Sequence, residues 1–140
     1  MSTRSLQTAQ PPATADLPMT GRSPSAASMP PAAAAYVGAV NEHDAAAFMA
    51  LFADGARVDD AGREFRGTTA IREWSDREIF GAQVTLEVLE VTERDGDTVV
   101  RTKVDGNFDR TGLPDPVIID HHFTLEDGRI VGLTCRLAEV

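Results

Sequence analysis

The chain has almost no sulfur chemistry, a shortage of positive charge and no long apolar run. Its 140 residues hold one cysteine, Cys135. That excludes an internal disulfide, and with it the small secreted scaffolds that depend on several. Thirteen Lys and Arg face 22 Asp and Glu, a formal net charge of −9. An acidic domain repels phosphate backbones, so nucleic acid is not an expected partner. No apolar stretch approaches the length of a membrane span, so no membrane partner is expected either. The N-terminus lacks the apolar core of a usual signal peptide, and the expected location is the cytoplasm. Histidine is scarce too: His43, His121 and His122 are all there are. Neighbouring strand residues project to opposite faces, so His121 and His122 cannot chelate one ion as a strand pair, and no metal site is expected. GREFRGTTAIREW lacks the strand–glycine–helix order and the lysine of a phosphate loop.

What remains is enough for one domain with a real core. Residues 1–30 hold five of the eight prolines and show no hydrophobic period, so they are expected to form a disordered tail. The domain is expected to span 31–140. Pro31 suits a first helical turn, and Ala32, Ala33, Tyr36, Val37 and Val40 recur at helical spacing. Asp44 is placed to cap a second helix, AAAFMALF, with Ala47, Phe48, Leu51 and Phe52 as its buried stripe and ADGA as its break. ARVDD and REFRG make a short hairpin around Ala61 and Gly62. Thr68 or Thr69 opens a third helix, TAIREWSDREIF, with Ile71, Trp74 and Ile79 inward. From residue 82 the period changes to two. AQVTLEVLEVTE, TVVRTKVDGNF, PVIIDHHFTL and RIVGLTCRLAEV read as long strands separated by ERDGD, RTGLPD and EDG. The expected fold is α+β: three N-terminal helices packed on a strongly curved, mostly antiparallel sheet. Such a cone encloses an apolar cavity suited to a small hydrophobic molecule.

Alternation assigns the faces of the strands. Asp60 shares its face with Ala56 and Val58, so it points inward. Val100, Thr102, Val104 and Phe108 point in, whereas Arg101, Lys103 and Asp105 point out. In IIDHHFTL, His121 falls with Ile119, Phe123 and Leu125. Asp120 and His122 fall opposite, unless a bulge shifts the register. Cys135 shares a face with Val131, Leu133 and Leu137 and reads as a small apolar residue. Tyr36, Asp60 and His121 are therefore the polar groups expected to converge, with Val58, Trp74, Val104 and Phe123 at the walls. Taken singly, each has an ordinary explanation: a packed tyrosine, a turn aspartate, a core histidine.

YVGAVNEHDAAAFMALFADGARVDD followed by FRGTTAIREW is similar to the SnoaL-like and ketosteroid-isomerase-like branch of the nuclear transport factor 2 superfamily, over residues 32–139. Two positions match the Δ5-3-ketosteroid isomerases more sharply, and a third segment departs from them. AYVGAVN puts Tyr36 where that group has a tyrosine donating to the substrate oxygen. RVDD puts Asp60 where it has its catalytic base. IDHHF is one residue longer than its IDHF segment, so either Asp120 or His121 takes the place of its second, protonated donor. The resemblance implies a cofactor-independent isomerase or cyclase acting on a hydrophobic carbonyl compound, steroid-like or polyketide-like. The alternatives are a non-catalytic ligand-binding or dimerisation domain and an epoxide hydrolase. The last uses an aspartate–arginine–aspartate set inside the cavity, whereas Arg101 is expected outside. The outward row of Arg101, Lys103, His122 and Thr134 suggests a homodimer, which this family often forms.

Overall fold

A computed structural model describes residues 29–94 and 96–138. The expected tail lies outside these residues apart from its last two. Two helices come first, α1 (Pro31–Asn41) and α2 (Ala45–Met49), followed by a hairpin of β1 (Phe52–Asp60) and β2 (Arg63–Arg66). A third helix, α3 (Thr68–Ser75), runs directly into a π-helical turn, Asp76–Phe80. Four long strands complete the domain: β3 (Thr85–Arg94), β4 (Asp97–Asp105), β5 (Val117–Glu126) and β6 (Arg129–Leu137). All six strands form one curved sheet in the order β2-β1-β6-β5-β4-β3. Every neighbouring pair is antiparallel except β1 and β6, which run parallel.

Local chemistry explains most of these boundaries. Pro31 opens α1. Asp44 caps α2, its Oδ1 accepting from the Ala47 amide at 3.0 Å. The second helix is shorter than its apolar stripe suggests. It ends at Met49, Ala47 is exposed, and Phe52 opens β1 instead of closing the helix. ADGA is part of that strand. Phe52 pairs with Ile130, the register then shifts, and the ladder resumes at Arg57 and Gly132. A bulge thus absorbs the residues that read as a breaker. Two hairpins close on two-residue turns whose central residues both have positive φ: Ala61 (54°) with Gly62 (90°), and Asp127 (53°) with Gly128 (77°). That turn matches the twist of the flanking strands. A second register shift, between Thr124 and Leu125, turns Ile130 rather than Val131 into the core.

Helix α1 is pinned across the sheet at its end. The Asn41 side chain donates to the Leu86 carbonyl at 2.9 Å and accepts from the Leu86 amide at 2.7 Å. The helix therefore presents Ala33, Tyr36 and Val40 downward, all buried. Phe48 is fully buried at the centre, its ring 5.1 Å from Tyr36, 5.1 Å from Phe52 and 5.4 Å from Phe80 between centroids. Burying one such side chain contributes about 1.5–3 kcal/mol.

Candidate active site

Strand register sets three reactive side chains in one line. Asp60 on β1 is the partner of Cys135 on β6, Cys135 is the partner of His121 on β5, and His121 is the partner of Val100 on β4. Directly opposed antiparallel residues carry their Cβ atoms about 4.5–5.5 Å apart on the same face. Tyr36 descends on this row from α1, its ring 5.7 Å from the His121 imidazole. Tyr36, Asp60, Cys135 and His121 all line one pocket of about 330 Å³. Its other walls are mostly apolar, with Val104, Ile119 and Leu86 from the sheet, Trp74 and Ile79 from the helical side, and Phe108 and Leu113 from the β4–β5 loop.

Burial governs the protonation of the deep end. Desolvation pushes the Tyr36 phenol well above its usual range, and the nearby Cys135 and Asp60 push it further. It stays a neutral donor. Desolvation lowers His121 to about 4, against a weaker upward pull from backbone groups and Asp120. The imidazole is therefore neutral at pH 7, one nitrogen donating and one accepting. His121 is 5% exposed, and its Nδ1 is buried with no hydrogen-bond partner. A buried polar atom without a partner costs about 1–3 kcal/mol.

The mouth of the pocket is charged. Asp60 Oδ2 accepts from Arg63 Nη2 at 2.8 Å and from Trp74 Nε1 at 3.0 Å. Arg63 continues to Glu78 through two bonds of 2.8 and 2.7 Å, and this pairing holds the Glu78 carboxyl below its usual range. Phe65 stacks on Trp74 at 5.9 Å and Arg63 lies over the Phe65 ring at 5.5 Å, so packing fixes the donors as well. Among the described residues both donors reach the same oxygen, Oδ2. The carboxylate is thereby oriented without being saturated.

The expected site residues do not all meet. Asp120 faces away from the pocket. The β4–β5 register is continuous from Thr98–Phe123 to Val104–Val117, so no bulge brings it inward. Its carboxylate accepts instead from Arg101 Nε at 2.8 Å and Nη2 at 3.1 Å on the outer face. Of the two donors left open by the sequence, His121 is the one in the pocket. Trp74 and Val104 line it, whereas Val58 and Phe123 are fully buried beyond its lining. Face alternation gives inside or outside, not depth along the strand, and Phe123 packs its ring 5.2 Å from that of Tyr36. Sequence reasoning missed Arg63 and Glu78. The signal for Arg63 was present, since a two-residue turn makes it the register partner of Asp60. Among the described residues no group of three or more His, Cys, Asp or Glu is placed to share a metal ion. No helix among them is long and apolar enough to cross a membrane.

A carboxylate and two neutral donors around an apolar pocket can move a proton and hold the charge that results. Comparisons with known proteins identify the family. The model of the SnoaL-like domain matches residues 33–133. A Sinorhizobium meliloti protein carried under the provisional designation polyketide cyclase is 31% identical, with a TM-score of 0.72, over 80% of this chain and 99% of that one. A Mycobacterium tuberculosis protein solved in complex with estradiol-17β-hemisuccinate is 18% identical, TM-score 0.66, over 76% of this chain and 91% of that one. A Kribbella flavida protein provisionally designated a ketosteroid isomerase is 15% identical, TM-score 0.64, over 79% of this chain and 78% of that one. At these lower identities the last two show the fold alone. No curated protein sequence matches.

Proposed function

Because the chain belongs to the SnoaL-like family, we propose that it is a cofactor-independent, cytoplasmic isomerase or cyclase for a hydrophobic carbonyl compound, steroid-like or polyketide-like. The helices and curved sheet form a cone around the apolar pocket. The observation that carries the reading is the convergence of Asp60, Tyr36 and His121 on that pocket, with Nδ1 of His121 lacking a partner. Asp60 takes a proton from the carbon beside the ligand carbonyl. The electron pair moves to the carbonyl oxygen, and Tyr36 and His121 donate to the enolate that forms. Asp60 then returns the proton at the position that completes the isomerisation, or the enolate carbon closes a ring. Proton transfer by a positioned base contributes about 10²–10⁴ in rate. A donor aimed at the oxyanion contributes about 2.7–4 kcal/mol.

The test is turnover of a panel of hydrophobic ketones and enols by wild type and Asp60→Asn. Turnover that vanishes in the variant while binding persists supports the reading. Equal turnover by both sinks the base assignment, and binding without turnover on every compound favours a non-catalytic ligand carrier. One observation favours a second enzymatic reading, epoxide hydrolysis. Arg101 points out of the pocket, but an acid–arginine–acid set, Asp60–Arg63–Glu78, lines it. Diol formation from a hydrophobic epoxide decides for that chemistry.

The same reading includes a homodimer through the outer face of the sheet. Glu90, Arg101, Asp120 and Arg136 are successive register partners across β3, β4, β5 and β6. Their charges alternate in sign, so a two-fold copy with its axis between Arg101 and Asp120 sets each charge against an opposite one. Sedimentation at low and high salt tests this, and a monomer at both removes the dimer from the proposal.

A further inference from the structure

Cys135 is the chain's only cysteine, and it stands between the proposed base and the proposed oxyanion donors. Its register partners are Asp60 on one side and His121 on the other, and its side chain lines the same pocket while remaining 5% exposed. A ligand whose carbonyl oxygen sits against Tyr36 and His121, with its acidic carbon toward Asp60, therefore lays its carbon skeleton over the thiol. His121, buried and with its Nδ1 unpartnered, lines the pocket beside the thiol.

We infer that Cys135 is a covalent capture site for hydrophobic α,β-unsaturated ketones seated in the pocket. The inference rests on the proton-transfer reading of Asp60 and Tyr36. The step balances without an oxidant or a leaving group. Asp60 removes the thiol proton, and the sulfur lone pair forms an S–C bond to the β-carbon of the enone. The C=C π pair becomes the new bond of an enolate, whose oxygen Tyr36 and His121 hold. Asp60 then returns the proton to the α-carbon, leaving a saturated ketone joined to Cys135 by a thioether. The machinery that enolises a ketone is the machinery this addition needs.

Burial raises the thiol far above its usual range, and the charges of Asp60 and Asp59 add to that. The thiol is therefore a weak nucleophile until a base takes its proton, and the base placed beside it is Asp60. Dependence on Asp60 is what distinguishes capture from ordinary thiol labelling.

The experiment incubates the full chain with benzylideneacetone, a hydrophobic enone, and with iodoacetamide, followed by borohydride reduction of the adduct ketone and mass spectrometry. The expected result is an enone adduct mapped to Cys135, formed with saturation kinetics and competed by the saturated ketone benzylacetone. Iodoacetamide labelling should be far slower. Asp60→Asn should slow capture by about 10²–10⁴, the range of general-base catalysis. Tyr36→Phe should slow it by about 10²–10³. Cys135→Ala, checked for folding by circular dichroism, should give no adduct. No adduct in wild type, an adduct mapped to another residue, or equal capture rates in wild type and Asp60→Asn overturns the inference. Capture without turnover of any ketone leaves the inference standing and removes the isomerase reading. Turnover without capture does the reverse.

Discussion

The two faces of β5 differ by one residue and by everything else. His121 looks inward, is 5% exposed, and leaves Nδ1 without a partner. Asp120 and His122 look outward and are paired, Asp120 with Arg101 at 2.8 Å and His122 with Asp97 at 3.0 Å. The inner row Asp60–Cys135–His121 and the outer row Glu90–Arg101–Asp120–Arg136 lie on adjacent register lines of the same strands. Charge pairing on a wet face is cheap and adds little stability, so the outer row is what solvent permits. An unpaired buried nitrogen is costly, so the inner row carries a cost that the outer row does not.

The largest expected effect falls on the inner row. Asp60→Asn keeps the shape and the Trp74 contact but removes the base, and turnover should fall by about 10²–10⁴ with ligand binding retained. Steady-state kinetics beside a binding titration measure this, and an intact kcat would erase the contrast between the faces. Tyr36→Phe should cost about 10²–10³ in kcat, because one donor of two is lost. His121→Ala should slow the same step, and Asp120→Ala should not. Slowing by Asp120→Ala alone would move the site to the other face.

Acid stability sharpens the comparison without any substrate. His121 has an ordinary unfolded value of 6.5 and a folded value of about 4. Between those values the unfolded chain binds the extra proton, so stability falls as pH drops from about 6.5 to 4 and then levels off. The loss attributable to His121 is about 3 kcal/mol. Urea melts of wild type and His121→Gln across that range should diverge by this amount, and parallel curves would show that the imidazole is not held neutral by burial. The smallest effect belongs to the outer row. A double-mutant cycle of Arg101→Ala and Asp120→Ala should give a coupling that shrinks as salt rises, with turnover untouched.

The sequence made the later strands and their faces legible because β4 and β5 pair without interruption across the site. Strict alternation then carried His121 inward and Asp120 outward, and left the choice open because a bulge was conceivable and IDHHF is one residue longer than IDHF. Where bulges do occur, the reading slipped. Ala53 to Ala56 read as a helix breaker but belong to β1, and Val131 yielded its core place to Ile130. The charged mouth was hidden for a different reason. Arg63 and Glu78 are 15 residues apart and meet only because the β1–β2 turn and the π-helical turn close over the same opening. No periodicity encodes such a meeting. Trp74 read as a wall and is one, but its second role as donor to Asp60 depends on where one ring edge points.

That ring edge makes the protein its own spectroscopic gauge. Trp74 is the only tryptophan in the chain, so every quantum of indole emission comes from a residue hydrogen-bonded to Asp60 and stacked on Phe65. A ligand that changes the surroundings of Asp60 changes the field felt by the excited indole. Occupancy of the pocket can therefore be followed by fluorescence with no label, and unknown compounds can be ranked as ligands before any reaction is known.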